Sequence, residues 1–109
     1  MSAKKFGSTI LNDSYYCIAE GKSDFDSTVT VVFSNHSSDQ SEIFLAYSKT
    51  APTDSDHLIY GESLGGNSHM EFKGIALEEG HKLFVRSCGP QKVSAVAYGF
   101  ETKIIKVGC

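Results

Sequence analysis

Three apolar segments decide the fold: HLIYGESL at residues 57–64, IALEEGHKLFV at 75–85 and VSAVAYGF at 93–100. Each is rich in β-branched, aromatic or small apolar residues, and glycine turns separate or interrupt them, a pattern typical of short β-strands. The middle segment itself contains a tight turn at residues 78–81. A chain built from such segments predicts a compact β-sheet protein with little room for an active site.

Upstream of these segments, residues 28–33 alternate, with Val29, Val31 and Phe33 on one face, which predicts a half-buried strand. A second strand is predicted at residues 42–48, and the polar residues between the two favour a hairpin with a long connection. No stretch of the chain shows helical periodicity. Other strands are predicted at residues 15–19, 57–64, around Met70 and Phe72 with a bend at Gly74, at 82–87 and at 93–100, the last extending through Ile105.

Together these segments predict an all-β fold. We expect a single antiparallel β-sandwich, jelly-roll-like or immunoglobulin-like, with about eight short strands. The 109 residues form one domain with a modest core, and no repeat or second domain is evident. Edge strands invite pairing between subunits, so residues 1–12 and 103–109 are candidate interface arms.

Composition and charge exclude several classes of partner. Hydrophobic residues make up 40% of the chain and the net charge is −3, so we expect no duplex nucleic acid partner, which would call for a basic patch. No apolar run approaches the ~20 residues of a membrane span, so no membrane partner is expected. The first residues lack the apolar segment of a secretory signal, which predicts synthesis in the cytoplasm.

The cysteines and acidic loops do not form a metal-binding pattern. Cys17, Cys88 and Cys109 are widely spaced and odd in number, unlike a disulfide framework or a zinc site. We expect Cys17, inside an apolar strand, to be a small buried residue. The acidic segments 24–26 and 54–57 offer oxygen ligands but lack the spacing of a calcium loop. No metal and no cofactor are therefore expected.

Residues 61–65, GESLG, match the G-x-S-x-G pattern of serine hydrolases. In those enzymes the serine lies on a strained turn between a strand and a helix, inside a much larger α/β sheet. No helical segment follows Ser63 here. We interpret the match as a strand that ends at glycine and expect a non-enzymatic protein.

Aromatic residues supply the candidate contacts. The chain has five tyrosines and seven phenylalanines but no tryptophan. Tyrosine is enriched at protein interfaces, and tyrosine rings also stack on sugars. Tyr15 and Tyr16 are adjacent, so their rings should point to opposite faces of a strand, one into the core and one outward. The candidate interface or ligand contacts are Tyr15, Tyr16, Tyr47, Tyr60, Asp54 and Asp56.

The strand pattern resembles that of the small β-sandwich virion proteins of tailed bacteriophages, which occur as tail, baseplate-accessory or head-decoration components. The resemblance is carried by VTVVFSNH at residues 29–36, IALEEGHKLFV at 75–85 and VSAVAYGFE at 93–101. It implies a non-enzymatic structural protein, made in the host cytoplasm and incorporated into the virion. The implied partners are copies of itself and other virion proteins.

An alternative function stays open. Tyrosines beside carboxylates, around Tyr47, Asp54, Asp56 and Tyr60, are also compatible with a carbohydrate- or receptor-binding module, whose ligand would be a host-surface glycan.

Overall fold

The computed structural model describes residues 2–89 and 92–104, and these residues form eight strands and one short 3₁₀ helix. The predicted all-β fold of about eight strands is confirmed. The strands are β1 (Ser2–Ile10), β2 (Tyr16–Glu20), β3 (Phe25–Asn35), β4 (Ser41–Ser48), β5 (His57–Leu64), β6 (His69–Leu77), β7 (Lys82–Cys88) and β8 (Val93–Lys103). The 3₁₀ helix covers Asp54–Asp56.

The strands form two antiparallel sheets of four strands each. Sheet A has the order β1-β8-β3-β6 and sheet B the order β2-β7-β4-β5. This arrangement, with the chain crossing repeatedly between the sheets, is the strand order of a jelly roll. Of the two sandwich types expected from the sequence, the jelly roll is the one that the chain adopts.

The core lies between the sheets, as the strand alternation predicts. On β3 the inward residues Val29, Val31 and Phe33 are fully buried. Residues Leu45 on β4 and Val85 on β7 are equally buried on the opposing sheet. The bend predicted at Gly74 is also confirmed, because the register between β3 and β6 shifts there and Gly74 has a φ of +73°.

The predicted hairpin between β3 and β4 is wrong. β3 pairs with β6 and β8 in sheet A, whereas β4 pairs with β5 and β7 in sheet B. The connection therefore crosses between sheets, and buried Asn35 holds it, donating to the carbonyls of Asp39 at 2.8 Å and Leu64 at 3.1 Å. Both strands bury one face in the same core, so alternation alone does not distinguish a hairpin from a crossing.

The first predicted arm is a strand of the sandwich itself. β1 pairs with β8 along its length as the edge strand of sheet A, and Leu11 beyond it is buried, with its N–H donating to the Val93 carbonyl at 2.7 Å. Contact of this segment with a neighbouring subunit stays a prediction. Of the second arm, Lys103 ends β8 and Ile104 follows it. The predicted extension through Ile105, like the rest of that arm, lies outside the described residues.

The prediction of a buried Cys17 is wrong. Cys17 is exposed, because it pairs with Phe84 on the outer face of sheet B while the next residue, Ile18, points into the core. The sulfur is still partly screened from water: burial raises the pKa of the Cys17 thiol, and the charge of Glu20 adds to the rise. The thiol is therefore mostly protonated at neutral pH.

No helix in the described residues is long and apolar enough to cross a membrane.

Candidate functional site

An arginine surrounded by aromatic rings lies on the outer face of sheet B. On β7, Val85 and Ser87 are buried, so the alternating residues Phe84 and Arg86 point outward. The Arg86 guanidinium carbon lies 3.7 Å from the centre of the Phe44 ring and 5.2 Å from that of Tyr15. Both distances are within the range of cation–π attraction. We call this surface the aromatic patch; its members are Tyr15, Phe44, His57, Tyr60, Phe84 and Arg86.

Phe44 is the buried ring at the centre of the aromatic patch, and Tyr60 is its most exposed ring. Phe44 is only 7% exposed although it lies outside the core between the sheets. Tyr60 is 62% exposed and meets Phe44 edge-to-face, with ring centres 5.2 Å apart. His57 contacts Tyr60 in the same way at 4.8 Å. Edge-to-face contacts of this kind are the preferred geometry of aromatic pairs, so the exposed ring is held in place.

A hydrogen bond closes one end of the aromatic patch. The Tyr15 hydroxyl bonds to Nε2 of His57, and Nδ1 of the same imidazole lies 3.4 Å from the Asp54 carbonyl oxygen. Tyr15 precedes β2 and His57 begins β5, the two edges of sheet B. The contact therefore spans the sheet and connects its two edge strands.

The charge of Arg86 is uncompensated in the part of the chain that the structure describes. The ion pairs there are Lys4–Glu101, Lys73–Glu71 and His81–Glu78, and the Arg86 side chain donates no hydrogen bond. Glu42 is one row further along β4, opposite Cys88 rather than Arg86, and does not pair with it. The aromatic patch thus presents a partly exposed cation without a carboxylate partner.

The structure separates the candidate residues chosen from the sequence. Tyr15 and Tyr60 belong to the aromatic patch. Asp54 contacts the patch only with its backbone carbonyl oxygen, which lies near Nδ1 of His57. The expected division of Tyr15 and Tyr16 into one core and one exposed ring is wrong, because neither is in the core. Tyr16 pairs with inward-facing Val85, yet it is 46% exposed because β2 is an edge strand of sheet B.

Tyr47 has a structural role away from the aromatic patch. Its ring stacks on His81, with centres 4.8 Å apart and planes 11° from parallel. Its hydroxyl donates to the Ala76 carbonyl and accepts from the Glu78 N–H, both at 3.0 Å. These contacts tie β4 to the turn between β6 and β7, and they occupy the groups that a ligand would use.

Asp56 organises the turn that enters β5. One of its carboxylate oxygens accepts from the Thr53 backbone N–H at 2.8 Å and from the Thr53 hydroxyl at 2.9 Å. These two donors, the backbone one first, hold the pKa of the Asp56 carboxyl below its usual range. Asp56 is therefore engaged within its own turn rather than offered to a ligand.

Replacing Thr53 by Ala should raise the pKa of Asp56 part of the way to its usual value, because the hydroxyl donor is lost and the backbone donor stays. A carboxyl with a lowered folded-state pKa stabilises the fold at pH above the ordinary value of about 3.9 and loses that contribution as pH falls through the lowered value. A carboxyl-carbon NMR titration measures the change. An identical Asp56 pKa in both proteins would contradict the assigned hydrogen bond.

A second exposed apolar surface lies on the outer face of sheet A. Tyr98 and Phe100 on β8 are 43% and 51% exposed, and Val96 precedes them on the same face. We call Val96, Tyr98 and Phe100 the sheet A stripe. The sequence signal for it is clear in retrospect, since VSAVAYGF places small Ala95, Ala97 and Gly99 inward and the large residues outward.

Three of the four residues opposite the two rings of the sheet A stripe are short, and the fourth is Lys5. Phe100 lies opposite Thr28 of β3 and Ala3 of β1, and Tyr98 lies opposite Thr30 and Lys5. A shallow hollow forms along the β1 side of the two rings, lined by Ala3, Lys4, Lys5, Tyr98, Gly99 and Phe100. Tyr98 and Phe100 are therefore the large apolar side chains of this part of the outer face, with Lys5 beside Tyr98.

The remaining sequence motifs have simple positions in the fold. The G-x-S-x-G segment lies in β5, which ends at Leu64, so its interpretation as a strand end is confirmed. Ser63 lies opposite Glu42 on the neighbouring strand. Within residues 2–89 and 92–104, no three histidine, cysteine or acidic residues lie together as metal ligands.

Comparison with known proteins gives no match: no family model, no curated protein and no solved structure corresponds to the chain. Two surfaces are then available for functional inference, the aromatic patch on sheet B and the sheet A stripe. They lie on opposite outer faces of the sandwich.

Proposed function

We propose that the protein is a non-enzymatic structural component of a tailed-bacteriophage virion, assembled in multiple copies into the tail or baseplate or decorating the capsid. Its partners are copies of itself and other virion proteins. The observation that supports assembly is the sheet A stripe, where two large rings stand half exposed on the outer face of the sheet.

The sheet A stripe has the composition of an interface core. Contiguous exposed apolar surface marks interaction sites on soluble proteins, and Tyr and Phe are enriched in the buried centre of interfaces. Covering the two rings removes apolar area from water, at about 25 cal/mol per Å². Short neighbours such as Ala3, Thr28 and Thr30 allow a second surface to approach closely. Face-to-face packing of sheets is the contact that this surface suits best.

The edge of sheet A is less suited to assembly than its face. β1 is the edge strand, and its register against β8 shifts between Lys5 and Gly7. Such a bulge interrupts the regular row of backbone groups that strand addition needs. We therefore assign the contact between copies to the sheet A stripe rather than to pairing along β1.

Light scattering over a concentration series tests self-assembly. We expect a closed oligomer of the wild-type protein and a monomer of the double variant Tyr98→Ser/Phe100→Ser, with circular dichroism showing that both are folded. Tyr60→Ser is the matched control, because it removes an exposed ring from the opposite face and should leave the oligomer intact. A wild-type monomer at every concentration would contradict assembly through the sheet A stripe.

The virion location has its own test. Mass spectrometry of purified particles of the phage that encodes the chain should recover the protein in multiple copies per particle. Its absence from infectious particles would contradict a structural role in the virion, whatever the oligomeric state in solution.

A carbohydrate- or receptor-binding module is the second candidate function, and the aromatic patch favours it. The exposed Tyr60 ring is fixed by its contact with Phe44, and the unpaired Arg86 guanidinium contacts the same Phe44 ring. An exposed aromatic ring and a nearby cation together suit a small polar ligand. The binding surface moves from the position proposed on the sequence, because Tyr47 and Asp56 are engaged within the fold. Glycan-array screening with Tyr60→Ala separates this function from assembly, since that variant should lose glycan binding and keep its native mass.

A further inference from the structure

We propose that the aromatic patch binds a sugar residue that carries a carboxylate, with Arg86 pairing with the carboxylate and Tyr60 stacking on the sugar ring. This inference rests on the second candidate function, the binding module, and does not depend on assembly. Three observations carry it: the ordered but unpaired guanidinium, the neighbouring acidic residue that limits ligand charge, and the exposed Tyr60 ring on the other side of Phe44 from the cation.

The Arg86 side chain is ordered by aromatic rings and has N–H donors that are free within the described residues, which suits it to bind an anion. The carbon of its planar guanidinium lies 3.7 Å from the centre of the Phe44 ring and 5.2 Å from that of Tyr15. The N–H donors lie at the edges of that plane, where a carboxylate is bound through two parallel hydrogen bonds. No acceptor pairs with them in the part of the chain that is described. Because the rings already order the side chain, little conformational entropy remains to be lost on binding.

The charges around Arg86 favour a singly charged ligand. Arg86 is the cation of the aromatic patch, and the next outward residue along β4 is acidic Glu42. A carboxylate balances one guanidinium, whereas a phosphate dianion would carry a second negative charge toward Glu42 at a Coulombic cost. The net charge of −3 for the whole chain acts in the same direction. A carboxylate is thus the anion that matches the site.

A sugar fits the surface beside the cation. The Tyr60 ring and the Arg86 guanidinium lie 5.2 Å and 3.7 Å from the centre of the same Phe44 ring, and they flank Phe44 from the neighbouring strands β5 and β7 on one outer face. A single acidic monosaccharide offers an apolar ring face to Tyr60 and its carboxylate to Arg86. Phe44 and His57 hold Tyr60 in edge-to-face contacts, and 62% of Tyr60 remains exposed.

An acidic peptide is the competing occupant, and the adjacent sheet edge disfavours it. Peptides commonly bind by adding a strand to a sheet edge. β5, the edge strand that carries Tyr60, has two register shifts against β4, and Gly61 within it has a φ of +68°. The edge is therefore irregular beside the aromatic patch, and a peptide would lose part of the ladder of hydrogen bonds that stabilises such complexes.

Titration calorimetry with paired probes tests the inference. The probes are the methyl glycoside of galacturonic acid and sialyllactose, each with a single carboxylate and each compared with its methyl ester, which keeps the rings and removes the charge. We expect the wild-type protein to bind at least one acid about tenfold or more tighter than its ester, the size of one charge-assisted contact. The comparison needs no variant, so it holds even where a substitution impairs folding.

Variants then assign the two roles. Arg86→Gln should abolish the preference for the acid, and Tyr60→Ala should weaken acid and ester alike. Lys73→Gln is the matched control, because it removes a positive charge from β6 on the other sheet and should leave binding unchanged. Melting curves confirm that each variant is folded at the titration temperature.

Each other outcome contradicts the inference in a distinct way. Equal affinity for acid and ester overturns the role of Arg86 but leaves a sugar-binding module standing. Absence of binding by all four sugars overturns both the inference and the binding module, while the light-scattering result on assembly is unaffected. Binding of an acidic peptide in place of the sugars would assign the aromatic patch to a peptide partner.

Discussion

Leu45→Ala should lower the free energy of unfolding by about 3–5 kcal/mol, the cost of removing a fully buried leucine from a core that cannot close around the gap. Leu45 has no exposed surface and lies on β4, an inner strand of sheet B. Its neighbours across the sheet are buried Val85 on β7 and Ile59 on β5, both held by strand pairing. These neighbours cannot move inward without disturbing the sheet, so the cavity stays.

The loss is large relative to the total stability of a domain of this size, which is commonly about 5–15 kcal/mol. Urea unfolding of both proteins gives the difference, and an unchanged slope would show that the denatured state is unaffected. Leu58→Ala is the matched control, because Leu58 is 42% exposed on the neighbouring strand and should change stability by about 0.5 kcal/mol or less. Equal effects of the two substitutions would contradict the assigned core.

Gly99→Ala should destabilise the protein by about 3 kcal/mol or more, because its side chain has no space. A Cβ at this position would overlap the Thr28 carbonyl oxygen and lie 3.0 Å from the Thr28 carbonyl carbon. Both atoms belong to the backbone of β3, so no side-chain rotation relieves the overlap. The pairing of β3 with β8 is continuous from Phe25–Lys103 to Asn35–Val93, and a local shift would break it.

The effect extends to the proposed interface. Gly99 lies between Tyr98 and Phe100, so a displaced β8 would also move the sheet A stripe, and we expect weaker assembly as well as a lower melting temperature. Gly65→Ala is the matched control: its nearest neighbour would be the Ser68 hydroxyl at 3.5 Å, an ordinary contact. Melting curves of the two variants measure the difference. A wild-type melting temperature for Gly99→Ala would contradict the tight approach of β8 to β3.

Strand positions were predicted well where alternation is strong. The strand predicted at residues 42–48 is β4 at Ser41–Ser48, and the one predicted at 57–64 is β5. β1 was not predicted as a strand of the sandwich, because SAKKFGSTI has little apolar alternation. That segment becomes a strand because β8 offers it a row of backbone partners. Pairing with a neighbour outweighs the weak propensity of its own residues.

The candidate site was predicted only in part. Tyr15 and Tyr60 were chosen from the sequence for their residue type, and they do belong to one patch. Phe44 and Arg86 were not chosen, because each has an ordinary position in its own strand. Their significance arises from register: Phe44 lies opposite Arg86 on one side and Tyr60 on the other, across three strands.

The sequence by itself determined the all-β class, the approximate strand positions and the inward face of β3 with Val29, Val31 and Phe33. These properties follow from the two-residue period of a strand, which is local and visible in the order of residues. The tertiary structure alone decided that β3 and β4 lie in different sheets, and that Arg86 and Tyr60 both contact Phe44. Pairing and register are set by contacts between distant segments that bury one shared core. The local alternation of a strand is the same whichever neighbour it pairs with, as long as the same face is buried, so alternation does not reveal the pairing.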